Sequence, residues 1–209
     1  LESENLNGKC RHKEKQMRRL KRISFAALVA MAQLAISAGF ASATTLEIGG
    51  VTQNKSVTLD ASLKSGTSAV IVTTSGSFAD TCNFSTLKGS TASPYTGAMV
   101  GGVVSTLAFS GCTHGTRVVN RGTISIAHAG GTNGTVRSTS ALINVDSTTF
   151  GVTMECTTSD THLGTLTGVS SGHATLHVNA VVNCGFFVPS ARWLADYTFT
   201  SPTGLGVSA

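Results

Sequence analysis

Between His173 and Asn183 the chain alternates. Ala174, Leu176, Val178 and Ala180 occupy the even positions, and His173, Thr175, His177 and Asn179 the odd ones. A period of two puts the apolar side chains on one face of a strand and the polar ones on the other. Helical spacing fails, because Leu176 would share its face with Asn179 and Ala180 while β-branched residues crowd the turns. Cys184 closes the strand, and Gly185 and Pro189 turn the chain towards an aromatic segment at Trp193. Similar β-branched runs predict further strands at Thr45–Ile48, Ser56–Asp60, Ala69–Thr74, Val103–Phe109, Gly122–His128, Ala141–Val145, Thr149–Cys156, Leu163–Thr167 and Trp193–Thr200. Leu87–Gly102, rich in Gly and Ser, reads as a long loop, and Asn133-Gly134 as a tight hairpin turn. The expectation is an all-β domain, an antiparallel β-sandwich or small barrel over residues 44–209.

The pattern upstream differs. Met17-Arg-Arg-Leu-Lys-Arg22 is a basic stretch, Ile23–Phe40 is apolar, and Ala41-Ser42-Ala43 supplies small residues at a cleavage site. This is the order of a secretory signal peptide over residues 17–43, with a signal helix preceding the β-domain. Residues 1–16 read as a mis-assigned upstream extension. The alanine-rich apolar run and its small-residue exit favour a cleaved signal over a transmembrane anchor. The expected localisation is therefore secreted, extracellular or periplasmic.

That boundary changes the charge. The whole chain carries a formal +5, but residues 44–209 hold seven Lys/Arg and seven Asp/Glu. A neutral mature chain offers no electrostatic case for nucleic acid or acidic lipid. Cysteine usage agrees with export, since Cys82, Cys112, Cys156 and Cys184 remain after the signal. Four cysteines allow three connectivities; sequential pairing is preferred because it closes two similar loops, of 30 and 28 residues. No Cys-x-x-Cys spacing occurs to suggest zinc.

Catalytic patterns are sparse. His173-Ala-Thr-Leu-His177 lacks the glutamate of a zinc-protease motif, and on a strand its histidines stand about 13 Å apart. No Gly-x-Ser-x-Gly elbow occurs, and Asp80, Asp146, Asp160 and Asp196 sit where backbone capping is the ordinary role. The Gly-rich stretches lack the lysine and helix of a phosphate loop. The expectation is a non-enzymatic protein with no cofactor and no metal. Gly185-Phe186-Phe187-Val188 is the most apolar exposed-looking segment. Phe186, Phe187 and Trp193 are candidates for apolar contact, with core filling the stronger reading for Phe187 and Trp193.

Several segments carry a resemblance: Asp80–Ser85, Leu107–Cys112, Gly164–Val169, Asn179–Cys184 and Pro189–Trp193, followed by Tyr197–Pro202. Together they resemble the small secreted bacterial proteins named after the protein activator of alkane oxidation, over nearly the whole mature chain. The resemblance implies an exported factor that promotes use of water-insoluble alkanes by emulsification or interfacial contact. Its partner would be a hydrophobic surface or alkane droplet. It carries no catalytic set. The competing expectation is a structural or adhesive surface subunit, a pilin-like β-sandwich with Thr44–Ile48 as donor strand. An outer-membrane barrel is weaker, because the chain lacks a terminal aromatic and its strands look short.

Overall fold

A computed structural model describes residues 43–93, 95, 97–147, 151–185 and 188–209. The expected upstream extension and nearly all of the expected signal segment lie outside the described residues, as do Phe186 and Phe187. Ser42–Ala209 forms one compact unit. Its described residues carry fifteen strands and no helix: β1 (Thr45–Ile48), β2 (Val51–Thr52), β3 (Thr58–Leu63), β4 (Ala69–Thr73), β5 (Ala79–Thr91), β6 (Val100–Cys112), β7 (Gly115–Asn120), β8 (Thr123–Gly130), β9 (Asn133–Thr139), β10 (Leu142–Ser147), β11 (Val152–Thr157), β12 (Thr161–Thr167), β13 (Thr175–Asn183), β14 (Ser190–Ser201) and β15 (Leu205–Ser208).

The sheet closes on itself. β3 and β4 share one wall position, because both pair antiparallel with β14 on one side and β5 on the other. From there the wall runs through β5, β6, β8, β9, β12 and β13 back to β14, all antiparallel. This is an eight-stranded barrel, the small-barrel branch of the expected fold class. Closure leaves the wall no free edge. Eight strands enclose a lumen that side chains largely fill.

One smaller sheet and an extension of the main sheet accompany the wall. β15-β1-β2 forms a separate three-stranded sheet, whose Leu46, Leu205 and Val207 are fully buried. The β10–β11 hairpin is an excursion between β9 and β12, and it pairs on its far side with β7. β11 touches the wall through one register pair, Thr157 with Asn183.

The alternation read in β13 holds at every step: Ala174, Leu176, Val178, Ala180 and Val182 are buried, while His177, Asn179 and Val181 are exposed. β14 sends Ala191, Trp193, Ala195, Tyr197 and Phe199 inward. The wall therefore puts apolar side chains inside and mostly Thr, Asn, His and Arg outside, the inverse of a lipid-facing barrel. No helix of the described residues is long and apolar enough to cross a membrane.

Three expectations need correction. Leu87–Gly102 is not a long loop, for β5 runs on to Thr91 and β6 begins at Val100. Gly89 sits in that strand because a Cβ there would lie 2.5 Å from the Val103 carbonyl oxygen. Asn133-Gly134 does not form the hairpin turn, which falls at Gly131 and Thr132 between the paired Gly130 and Asn133, with Gly130 and Gly131 both at positive φ. Gly134 instead lies in β9, where a Cβ would meet Ile126 at 2.9 Å and Val207 at 3.0 Å. Finally, Thr45–Ile48 is no free donor strand, since β1 is paired to both β15 and β2.

The four cysteines pair sequentially, Cys82 with Cys112 and Cys156 with Cys184. Cys82 and Cys112 are direct cross-strand partners in the β5–β6 ladder. Two disulfides fit an oxidising compartment.

Candidate functional site

Side chains from every position of the wall meet in the lumen, and few of the groups there are polar. Tyr197 on β14 is fully buried, and its hydroxyl bonds to Ser85 on β5 at 2.7 Å. Burial pushes the Tyr197 phenol up to about 12, with the Ser85 bond acting in the opposite direction. A folded pKa raised above the unfolded value of 10.0 means that the folded state holds its proton longer. The stabilisation is whole below pH 10 and is lost progressively as pH rises towards about 12. Urea midpoints at rising alkaline pH should fall, and Tyr197→Phe should flatten that part of the profile. An equal slope in the variant would assign the loss to other groups.

Beside Tyr197 the lumen holds a cavity of about 30 Å³, lined by Leu87, Leu107, Leu166, Val178 and Trp193 among others. Trp193 is 4 % exposed, which corrects its candidacy for surface contact: the ring is a core residue. Phe109 meets it edge to face, 5.9 Å between centroids. Its Nε1–H has no hydrogen-bond partner among the described residues. An orphaned buried donor costs about 1–3 kcal/mol. Sequence reasoning missed this site, because inward-facing Trp and Tyr look the same whether or not their polar tips are satisfied.

The outer wall carries a polar row. Thr165 on β12 faces His177 on β13, which faces Asp196 on β14. His177 Nδ1–H donates to Asp196 Oδ1 at 2.7 Å, and both side chains are substantially exposed. No hydrogen bond joins Thr165 to His177 among the described residues, and the row lies on an open sheet face. His173, the other histidine of the pair, precedes β13 and donates from Nδ1 to the Phe199 carbonyl at 2.8 Å.

Asp80, buried on β5, does what a capping aspartate does. It accepts from Thr113 Oγ1 and His114 N–H, each at 2.8 Å, and from Thr116 Oγ1, fixing the turn from β6 into β7. Asp80, Cys82 and Cys112 bring potential metal ligands within 4.8 Å, but the two sulfurs are joined as a disulfide and offer no thiolate. Asp160, at φ 50°, receives a forked pair from Arg137 at 2.6 and 2.9 Å, and this bond holds its carboxyl below the usual range.

The candidates Phe186 and Phe187 lie outside the described residues; the connection that contains them in sequence is closed by Cys184 N–H donating to the Pro189 carbonyl. The other exposed large apolar side chains among the described residues come one from each of several strands, with Met99 just before β6, and Phe84 is the most exposed at 66 %. Phe84 faces out because the inward alternation of β5 changes phase between Cys82 and Ser85, opposite Gly111 at φ +62°.

No protein-family model, curated protein or solved structure matches this chain.

Proposed function

We propose that this protein is an exported, non-enzymatic β-barrel that promotes the use of water-insoluble alkanes through contact between cell and hydrocarbon. The observation that carries the reading is the set of segments by which the chain resembles activators of alkane oxidation. In the fold they are neighbours: Asp80–Ser85 pairs with Leu107–Cys112 across the first disulfide, and the later segments fall on β12, β13 and β14. What the resemblance shares is thus a scaffold. On this reading the role is physical: the residues assembled inside the barrel are mostly hydrocarbon, with the Tyr197 hydroxyl bonded to Ser85 and one unpartnered indole donor. Alkane hydroxylation needs activated oxygen on a metal or flavin.

Purified exported protein, added to cells that lack it, should speed growth on hexadecane while leaving hexadecane unoxidised in cell-free mixtures. Unchanged growth on hexadecane, with a defect in surface attachment alone, would replace this reading with the adhesive one. That second reading has one observation of its own: β7 ends the order of its sheet, and among the described residues no strand pairs with its outer edge. It predicts polymers on sedimentation.

A further inference from the structure

We infer that a notch in the outer wall of the barrel, beside Phe84, binds an acidic sugar. The ligand is a hexuronate ring, free or part of an acidic polysaccharide, with its apolar face on the Phe84 ring and its carboxylate at Lys64. The inference goes beyond the proposed role at the hydrocarbon surface and stands independently of it.

The notch follows from strand register. β3 and β4 occupy one wall position in succession, both against β5. Pairing of β3 with β5 ends at Ser62 with Thr86, and that of β4 begins at Ala69 with Cys82. Six residues, 63–68, therefore stand opposite three, 83–85, and the excess forms a turn that leaves the wall. Gly66, at φ +78°, allows that turn, and Thr67 ties it shut by donating from both N–H and Oγ1 to the Lys64 carbonyl, at 3.1 and 2.7 Å. Asn83, Phe84 and Ser85 are left without a register partner on β3 or β4. Between turn and strand lies a cavity of about 290 Å³ that reaches in to the buried Ser85. That is the low end of the range for small-molecule sites, about 300–1,000 Å³, and it suits one small ring.

The chemistry of the lining selects the ring. Phe84 offers an exposed aromatic surface, with Gly111 beneath it: a Cβ there would stand 3.4 Å from Phe84 Cδ2. Around it lie the Lys64 ammonium, the Ser65 and Thr86 hydroxyls and the Asn83 amide. None of these four side chains has a hydrogen-bond or ion-pair partner among the described residues. One apolar plate ringed by free donors and acceptors matches a pyranose, which turns a face of C–H groups to the aromatic ring and a rim of hydroxyls to the polar groups. The lining holds a cation and no carboxylate, so the ring that fits it best carries a negative charge. An alkyl chain would bury the polar groups without partners. An added peptide strand would find only three free residues of β5 to pair with.

The test titrates the ¹⁵N-labelled protein with D-glucuronate, D-glucose and hexanoate, following the amide resonances of Gly66, Asn83 and Phe84. Glucuronate should move all three, glucose should move them with about threefold weaker affinity, and hexanoate should not move them. The advantage of glucuronate over glucose should vanish in strong salt. Phe84→Leu, which keeps apolar bulk and loses the flat ring, should weaken both sugars about fivefold. Lys64→Gln should erase the difference between the sugars and leave glucose binding unchanged. Both substitutions fall on exposed side chains, so the fold is retained. A glucuronate trimer bound at least as tightly as the monomer assigns the unit to a polysaccharide, and one that is excluded assigns it to the free sugar acid. Resonances silent to all three probes overturn the proposal. So does hexanoate binding as tightly as glucuronate, which would make this a carboxylate site alone, or glucose binding as tightly, which would leave Lys64 no part.

Discussion

Gly164→Ala should unfold the barrel. Gly164 lies buried in β12, facing Val136 on β9 and Val178 on β13. A Cβ built there would stand 1.8 Å from the His177 carbonyl oxygen and 2.8 Å from its carbon. Both atoms are backbone, so no side chain can rotate away. Relief requires β12 to move off β13, and that movement breaks the ladder on one side of a closed wall. A closed barrel has no free strand end through which to absorb the shift. The expected loss is above about 4 kcal/mol, the range reserved for a steric fault in a core. Gly101→Ala is the control, because Gly101 on β6 has nothing within 4 Å of its built Cβ. It should change stability by no more than about 0.5 kcal/mol. Urea unfolding of both variants tests the pair, and similar midpoints would mean that the wall at β12 is looser than its geometry implies.

The contrast between these glycines shows which parts of the fold are legible in sequence. β13 and β14 could be read residue by residue, since each buries an unbroken alternation of apolar side chains. β5 could not. Its inward positions are Asp80, Cys82, Ser85, Leu87, Gly89 and Thr91, and the alternation changes phase midway. Those residues are inside because each meets a particular partner: Ser85 meets Tyr197, Gly89 the Val103 carbonyl, and Thr91 the Val57 N–H. Such pairings join strands distant in sequence and leave no local trace. The same limit applied to the choice between sandwich and barrel, because both bury alternate residues. What decides it is β14 pairing with β3, β4 and β13 together. At the candidate site, the sequence displayed Trp193 as an aromatic residue near a turn. Its burial and its missing hydrogen-bond partner show only in the fold.

Removing the Cys156–Cys184 disulfide should loosen one part of the molecule, whereas removing Cys82–Cys112 should weaken the whole. Each bridge closes a loop of similar size, 28 and 30 residues. The chain-entropy model therefore assigns each about 3–4 kcal/mol. Their settings differ. Cys82 and Cys112 begin a long ladder between β5 and β6 that continues to Thr91 and Gly102. The strands stay paired without the bond, so its loss acts on the unfolded chain and lowers every opening energy alike. Cys156 lies on the β10–β11 hairpin, which meets the wall through the single pair Thr157–Asn183. Around its neck are Ser138, Thr158 and the Arg137–Asp160 fork, the last an exposed pair of the kind worth little on its own. Without the covalent tie the hairpin should swing from β13 before the barrel opens. Hydrogen exchange should then rise in β10 and β11 well ahead of β12 and β13 in the Cys156→Ala/Cys184→Ala variant. The Cys82→Ala/Cys112→Ala variant should show a uniform increase. If both variants exchange uniformly, the hairpin is held by its packing through Ile143, Val145 and Met154, all buried, and the second disulfide acts as the first does.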